Sequence, residues 1–86
     1  MKLNPFAIMS EQFDGSGLVF DPESNGALSL NKTGVFLWTL LKEGRTEQEM
    51  AAALLEHYEG VTPEKATVDV RAFLDNLRSR SLLSED

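Results

Sequence analysis

The chain has 86 residues, with 8 Lys and Arg against 14 Asp and Glu, so its formal net charge is −6 and its isoelectric point about 4.6. A chain of this length forms one domain, residues 1–86, with a modest core, which excludes a catalytic barrel or a full dinucleotide-binding domain. It has no cysteine, so disulfides and thiolate metal sites are excluded, and its acidic balance argues against nucleic-acid partners. No apolar run approaches the roughly 20 residues that cross a bilayer, and no secretory signal is evident. We therefore expect a cytoplasmic protein without membrane attachment.

The residues that carry enzyme chemistry are few. The single histidine, His57, lies in a helical pattern and has no second histidine with which to hold a metal. The Gly15-Ser16-Gly17 segment is too short for a phosphate-binding loop and precedes a strand pattern. The glutamates fall on polar helix faces, and the serines have no obvious base nearby. The sequence predicts a binding module with no catalytic residues, no metal site and no cofactor.

The first third of the chain predicts three strands. Phe6–Asp14 is a strand candidate with imperfect alternation, and Gly15–Gly17 supplies a turn after it. Leu18–Asp21 and Ala27–Leu30 are the next two strands, so the three form an antiparallel meander.

The register of the second hairpin depends on its turn. Asn25-Gly26 looks like a two-residue turn, but that register places Asp21 opposite Leu30 on an apolar face. We instead predict a five-residue loop, Pro22–Gly26, because it brings apolar residues to one face, with Phe20 opposite Leu28 and Leu18 opposite Leu30.

Helical periodicity begins after Leu30. Asn31 is a suitable N-cap for the first helix, which Gly44 ends. Its apolar residues surround it almost completely, which indicates a buried central helix: Val35, Phe36, Leu37, Trp38, Leu40 and Leu41.

Two further helices follow, each with its own start signal. Thr46–Glu49 is a capping box, and the second helix carries Met50, Leu54 and Tyr58 before Gly60 ends it. Thr62-Pro63 starts the third helix, whose expected core residues are Ala66, Val70, Phe73 and Leu77, and Leu82-Leu83 folds back after it. The predicted fold class is α+β, with a three-stranded antiparallel sheet followed by three helices in a winged helix-turn-helix-like arrangement.

Several short motifs occur in a fixed order from about residue 18 to residue 83. They are Gly26–Gly34, Leu37-Trp38, Leu40–Thr46, Glu49-Met50, Ala53-Leu54, Tyr58, Asp69-Val70, Phe73-Leu74 and Leu77. This order resembles the pyrroloquinoline quinone synthesis protein D (PqqD-like) family, the recognition elements of ribosomally made, modified peptides (RiPPs). One departure is Ser81-Leu82-Leu83, where the family usually has Gly-Leu-Leu.

The resemblance implies a non-catalytic peptide chaperone. Such proteins bind the leader of a ribosomally synthesised precursor peptide and present it to a modifying enzyme, often a radical S-adenosylmethionine (radical SAM) enzyme. The leader pairs as an added strand on the third strand of the sheet and lies beside the third helix. The pathway stays open among pyrroloquinoline quinone, lasso peptides and other modified peptides.

The residues suggest where such a peptide binds. If strand order follows chain order, the last strand has an unpaired side, so its backbone offers the peptide-binding residues Ala27, Leu28, Ser29 and Leu30. On the third helix, a row beside the core stripe places two arginines around a leucine, suited to an acidic and amphipathic leader: Thr67, Arg71, Leu74 and Arg78. The alternative is that Leu74 completes the core and the arginines are solvated.

Two other functions compete with peptide recognition. A DNA-binding winged helix would insert the third helix into the major groove, but residues 62–80 carry a net charge of only +1. A plain interaction or dimerisation domain is the second alternative, because an open strand edge also pairs with a second copy to form a homodimer.

Overall fold

The sheet and helices follow one another along the chain in a computed structural model that describes residues 1–23 and 26–84. The elements are β1 (Lys2–Leu3), β2 (Ile8–Glu11), β3 (Gly17–Asp21), β4 (Gly26–Leu30), α1 (Lys32–Lys42), α2 (Glu47–His57), α3 (Pro63–Ser79) and β5 (Leu83–Ser84). Strands β2, β3 and β4 form an antiparallel sheet in that order, and β1 pairs with β5 in a separate ribbon. The predicted α+β class, with a three-stranded antiparallel sheet and three helices, is confirmed.

The register of the β3–β4 hairpin differs from the predicted one by a single residue. Val19, not Phe20, lies opposite Leu28, and Gly17, not Leu18, lies opposite Leu30. The predicted pairing is therefore wrong, and Leu18 and Phe20 lie on the outer face of the sheet, each 40% exposed. Gly26 belongs to β4 rather than to the loop, Pro22 and Glu23 are turn residues, and Ser24 and Asn25 fall outside the described residues.

Two residues that the apolar pattern misjudged explain this register. Gly17 faces inward because α1 packs directly against it: a Cβ there would lie 2.9 Å from both a Val35 methyl carbon and the Met9 sulfur. Asp21 is also buried on the inner face, where its carboxylate accepts a hydrogen bond from the Glu23 backbone N–H at 3.0 Å. A glycine and a hydrogen-bonded aspartate thus occupy inward positions, since close packing and a satisfied polar group outweigh simple alternation.

The first strand of the three-stranded sheet, β2, is shorter than the predicted Phe6–Asp14 strand. It covers Ile8–Glu11, and Gln12 then starts a tight turn in which its backbone N–H donates to the Ser16 carbonyl at 2.7 Å. The short β1 strand was not predicted, because two residues carry no periodic pattern. Its partner β5 contains Leu83, so the predicted fold-back of Leu82-Leu83 is confirmed, with both leucines buried.

The helix starts match the sequence signals. Asn31 accepts the Gly34 backbone N–H at 2.8 Å, and Thr62 accepts that of Lys65 at 3.1 Å. At the start of α2, Thr46 and Glu49 form the reciprocal capping box. These caps satisfy backbone donors that the helices leave open, so each helix begins at its expected residue.

The core lies between the inner face of the sheet and the helices. Trp38 is 1% exposed at its centre, and α1 is buried on nearly every side, as predicted. On α3 the buried residues are Ala66, Val70, Leu74 and Leu77, whereas Phe73 is only half-buried. The apolar stripe of α3 is therefore rotated from the predicted one, with Leu74 in the place given to Phe73.

Candidate peptide-binding site

Strand β4 is an edge of the sheet, and no strand in the described part of the chain pairs with its outer side. Leu28 and Leu30 anchor the strand in the core, whereas Ala27 and Ser29 are exposed and short. In an antiparallel strand every second residue turns its backbone N–H and C=O away from its partner. Within residues 27–30, no strand of the described part of the chain pairs with this outer side, so its outward-facing backbone groups lie open beside small side chains.

Helix α3 lies beside this edge, and two clefts separate it from β4 and from the start of α1. The first, which we call the Arg80 cleft, measures about 280 Å³ and lies between Gly26–Leu28 and Ser79–Ser81. The second, the Lys65 cleft, measures about 370 Å³ and lies between the start of α1, at Asn31–Gly34, and one flank of α3. Because Gly26 begins β4 and Asn31 follows its end, the clefts lie at opposite ends of the strand, with α3 antiparallel to it.

The flank of α3 that lines these clefts carries both signs of charge and an aromatic ring. Lys65, Asp69 and Phe73 line the Lys65 cleft, four residues apart on one side of the helix. Lys65 Nζ lies 3.4 Å from Asp69 Oδ1, so this charge pair is partly satisfied within the helix. At the other cleft, the Arg80 Nε donates a long hydrogen bond of 3.4 Å to Asn76 Oδ1. The β4-facing flank thus has polar ends and an apolar middle.

The row predicted on α3 lies on its other flank. Arg71 Nε lies 3.4 Å from Glu47 Oε1 at the start of α2, and Arg78 is paired with Asp75 at 2.9 Å. Thr67 is exposed and donates its hydroxyl hydrogen to the Pro63 carbonyl at 3.0 Å. Leu74 is 0% exposed and completes the core, as the alternative interpretation held. The structure thus brings Ala27–Leu30 together at an open edge but places the predicted helical row on the side of α2.

The sequence prediction missed the β4-facing flank, because a helical wheel has two flanks beside any core stripe and does not show which one faces the sheet. Assigning Phe73 to the core hid the flank to which it belongs. The signal that could have found it is the stripe of polar residues at Lys65, Asp69, Asn76 and Arg80, which share one side at 100° per residue.

Two carboxyl groups of the described residues, both outside these clefts, have pKa values lowered by hydrogen bonds. Hydrogen bonds with Thr46, from its backbone N–H above all, lower the pKa of Glu49 in the capping box. A hydrogen bond from the Ser16 hydroxyl at 2.6 Å, together with one from its backbone, lowers the pKa of Asp14 in the β2–β3 turn. One shift belongs to a turn and the other to a helix cap, so both reflect local hydrogen bonds that stabilise structure rather than prepare an acid or a base.

The described residues also hold no cluster suited to a metal. No group of three or more His, Asp or Glu side chains lies together within residues 1–23 and 26–84. His57 is exposed and stacks on Phe36, with ring centroids 4.4 Å apart. In the same part of the chain, no helix has the length and apolarity to span a membrane.

Two solved structures share this fold. The structure of TbiB1 in complex with the TbiA(beta) leader peptide matches with a TM-score of 0.89 at 24% identity, covering 100% of this chain and 98% of TbiB1. A lasso peptide synthetase B1 complexed with its leader peptide matches with a TM-score of 0.80 at 24% identity, covering 92% and 91% of the two chains.

Sequence comparison agrees with the architecture. No curated protein matches the chain. The family model for coenzyme PQQ synthesis protein D (PqqD), however, matches residues 17–83, which run from the first residue of β3 through the first residue of β5. The chain therefore belongs to the PqqD family.

Proposed function

We propose that this protein is a non-catalytic partner that binds the leader of a ribosomally synthesised precursor peptide and presents it to a modifying enzyme. The observation that carries the proposal is the open β4 edge with α3 beside it, since an extended peptide can add to such an edge as a further strand. The two solved structures of the same fold are described as leader-peptide complexes, which supports this use of the edge.

The strand edge supplies affinity in this proposal, and the helix supplies selectivity. Backbone pairing with Ala27–Leu30 tolerates many peptide sequences, because it involves no side chains of the peptide. Side chains of the peptide that turn toward α3 meet Phe73 in the middle and charged residues at the ends. We propose Phe73 and these charged residues as the helical part of the site. The row of Thr67, Arg71, Leu74 and Arg78 stays a prediction, and mutagenesis of the two sets distinguishes between them.

A pair of modified leader peptides tests strand addition. One peptide carries N-methyl groups at its odd positions and the other at its even positions, through the pairing segment. In an added strand only one of the two sets faces β4, so we expect one peptide to lose binding and the other to keep it. Equal loss or equal retention in both peptides would contradict strand addition. Backbone amide shifts of Ala27–Leu30 on titration with the unmodified leader give an independent measure.

The identity of the enzyme partner is the finer part of the proposal. A radical SAM enzyme is the partner that the family suggests, and co-purification with the maturase encoded beside a short precursor gene tests it. A homodimer through the same edge stays a prediction, and sedimentation with and without leader checks it, since a peptide on β4 would compete with self-pairing. A cytoplasmic location also stays a prediction, which cell fractionation checks.

DNA binding is a competing function, because a winged helix-turn-helix-like arrangement has a shape compatible with it. The charges on α3 do not favour it, because Lys65 and Arg78 are both paired with aspartates of the same helix. Low retention on heparin at low salt is expected, and tight retention would favour the DNA-binding alternative.

A further inference from the structure

The end of α3 places a serine where glycine is the favoured residue. Ser81 has a φ of 60°, the only positive φ among the described non-glycine residues. Its N–H donates to the Arg78 carbonyl at 3.1 Å, and the Leu82 N–H donates to the Leu77 carbonyl at 2.9 Å. This pair of bonds ends the helix in a Schellman motif, whose left-handed residue is usually glycine because a Cβ is disfavoured there.

Nothing in the fold explains the hydroxyl group of Ser81. The residue is exposed, and its Oγ forms no hydrogen bond with residues 1–23 or 26–84. A left-handed serine is strained, and strain of this kind is found at sites where a side chain is needed. The hydroxyl group of Ser81 is therefore available to a group outside the described residues.

Ser81 also stands where two clefts meet. It lines the Arg80 cleft beside β4 and a further cleft of about 410 Å³ at the β1–β5 ribbon, which we call the ribbon cleft. Among the described residues, Leu82 is the only other one common to both. On its far side the ribbon cleft is lined by Phe6, whose ring is 62% exposed, and by the opposite charges of Lys2 and Glu23.

We propose that the peptide groove continues beyond the start of β4, over Ser81, into the ribbon cleft, and that the Ser81 hydroxyl hydrogen-bonds the peptide at this crossing. The occupant is the leader segment adjoining the strand that adds to β4, so the inference rests on the proposed function. The four residues Ala27–Leu30 offer a pairing length of about 14 Å, and a longer leader extends past Gly26 toward Ser81. There an apolar side chain of the leader packs on Phe6.

Replacement of Ser81 separates binding from stability. Ser81→Gly relieves the backbone strain and removes the hydroxyl, so we expect the melting temperature to rise by roughly 4–8 °C. Affinity for the full leader should fall about three- to tenfold, the value of one lost hydrogen bond. Ser81→Ala is the matched control: it keeps the strain and lacks the hydroxyl, so affinity should fall equally with little change in melting temperature. Unchanged affinity in both variants would overturn the role of Ser81.

Phe6→Ala tests the extension of the groove. We expect weaker binding of the full leader and unchanged binding of a short peptide limited to the strand-pairing segment. Phe13→Ala is the control, since Phe13 is fully exposed at the β2–β3 turn, at the other end of the strands. An equal response of both peptides to Phe6→Ala would overturn the extension. The short peptide also keeps the two proposals apart: if it binds the unmodified protein, strand addition stands whatever the Ser81 variants show.

Discussion

The two flanks of α3 differ in what their charges do. On the flank toward α2, Arg71 and Arg78 are engaged by Glu47 and Asp75. On the flank toward β4, Arg80 lines a cleft beside the start of β4, and Phe73 lines a cleft at the start of α1, just past the end of β4. The flank toward α2 is the more basic one in the sequence, with Arg71 and Arg78, yet only the other flank lies next to an edge that can hold a peptide. The neighbouring strand, rather than the charge of the helix, thus distinguishes the candidate site from a solvated surface.

The largest effect is expected between the flanks, at Leu74. Because its side chain is fully buried, Leu74→Ala should lower the free energy of unfolding by about 3 kcal/mol. Urea denaturation measures this loss. Val68→Ala, on an exposed position of the same helix, is the control and should change stability by less than about 0.5 kcal/mol. A small effect at Leu74 would mean that this residue is available to a ligand, as the predicted row requires.

Charge reversal compares the flanks directly. Arg80→Glu should weaken binding of an acidic leader about tenfold, because it places a like charge at the Arg80 cleft. Arg71→Glu has the same change in net charge on the other flank and should stay within about twofold. Fluorescence anisotropy at low and high salt measures both variants. The reverse order of effects would establish the row predicted from the sequence instead.

A smaller effect is expected from the ion pair between Arg71 and Glu47. The two side chains are 64% and 38% exposed, so water screens their attraction. A double-mutant cycle with Arg71→Ala and Glu47→Ala should give a coupling free energy of at most about 0.5 kcal/mol. A clearly larger coupling would show that this flank is a structural lock between α2 and α3.

The smallest effect is a pH dependence at the start of α2. Hydrogen bonds in the capping box lower the pKa of Glu49 from its ordinary value of 4.5. Its ionised form therefore stabilises the folded state at pH values above 4.5, and this stabilisation is lost as the pH falls through the lowered pKa.

Glu49→Gln isolates this contribution in melts between pH 3 and pH 6, since glutamine does not titrate. The variant should lose less stability on acidification than the unmodified protein. Asp14, whose pKa is also lowered, is present in both proteins and so contributes equally to both melts. Identical acid profiles for the two proteins would show that the cap does not sense pH.

Local signals in the sequence predicted much of the fold. Caps such as Asn31 and Thr46 act through backbone donors a few residues away, so they can be read from short motifs. The register of β3 and β4 could not be read in this way, because it depends on the approach of Val35 to Gly17 across the core. An alternating pattern cannot anticipate a glycine that is buried by a distant helix.

The candidate site was predicted only in part, because one of its elements follows from the order of the strands and the other depends on packing between distant elements. That β4 is an edge strand follows from the order of strands along the chain, and the structure has this order. Which flank of α3 faces β4 depends on the side of the helix on which the sheet edge lies, and no pattern within the helix encodes this. Three of the four predicted core residues of α3 are buried as predicted, Ala66, Val70 and Leu77, so the core stripe alone left both flanks open.

The pairing of β1 with β5 has a consequence for how this unit can be connected to other proteins. Lys2 lies opposite Ser84, so the chain enters and leaves residues 2–84 about 5 Å apart. A domain whose ends lie this close together can be inserted into a surface loop of a larger enzyme, or linked to it at either end, without distorting that enzyme. Because the β1–β5 ribbon also lines the ribbon cleft, a linker attached at either end would hold that enzyme close to a peptide bound in the cleft.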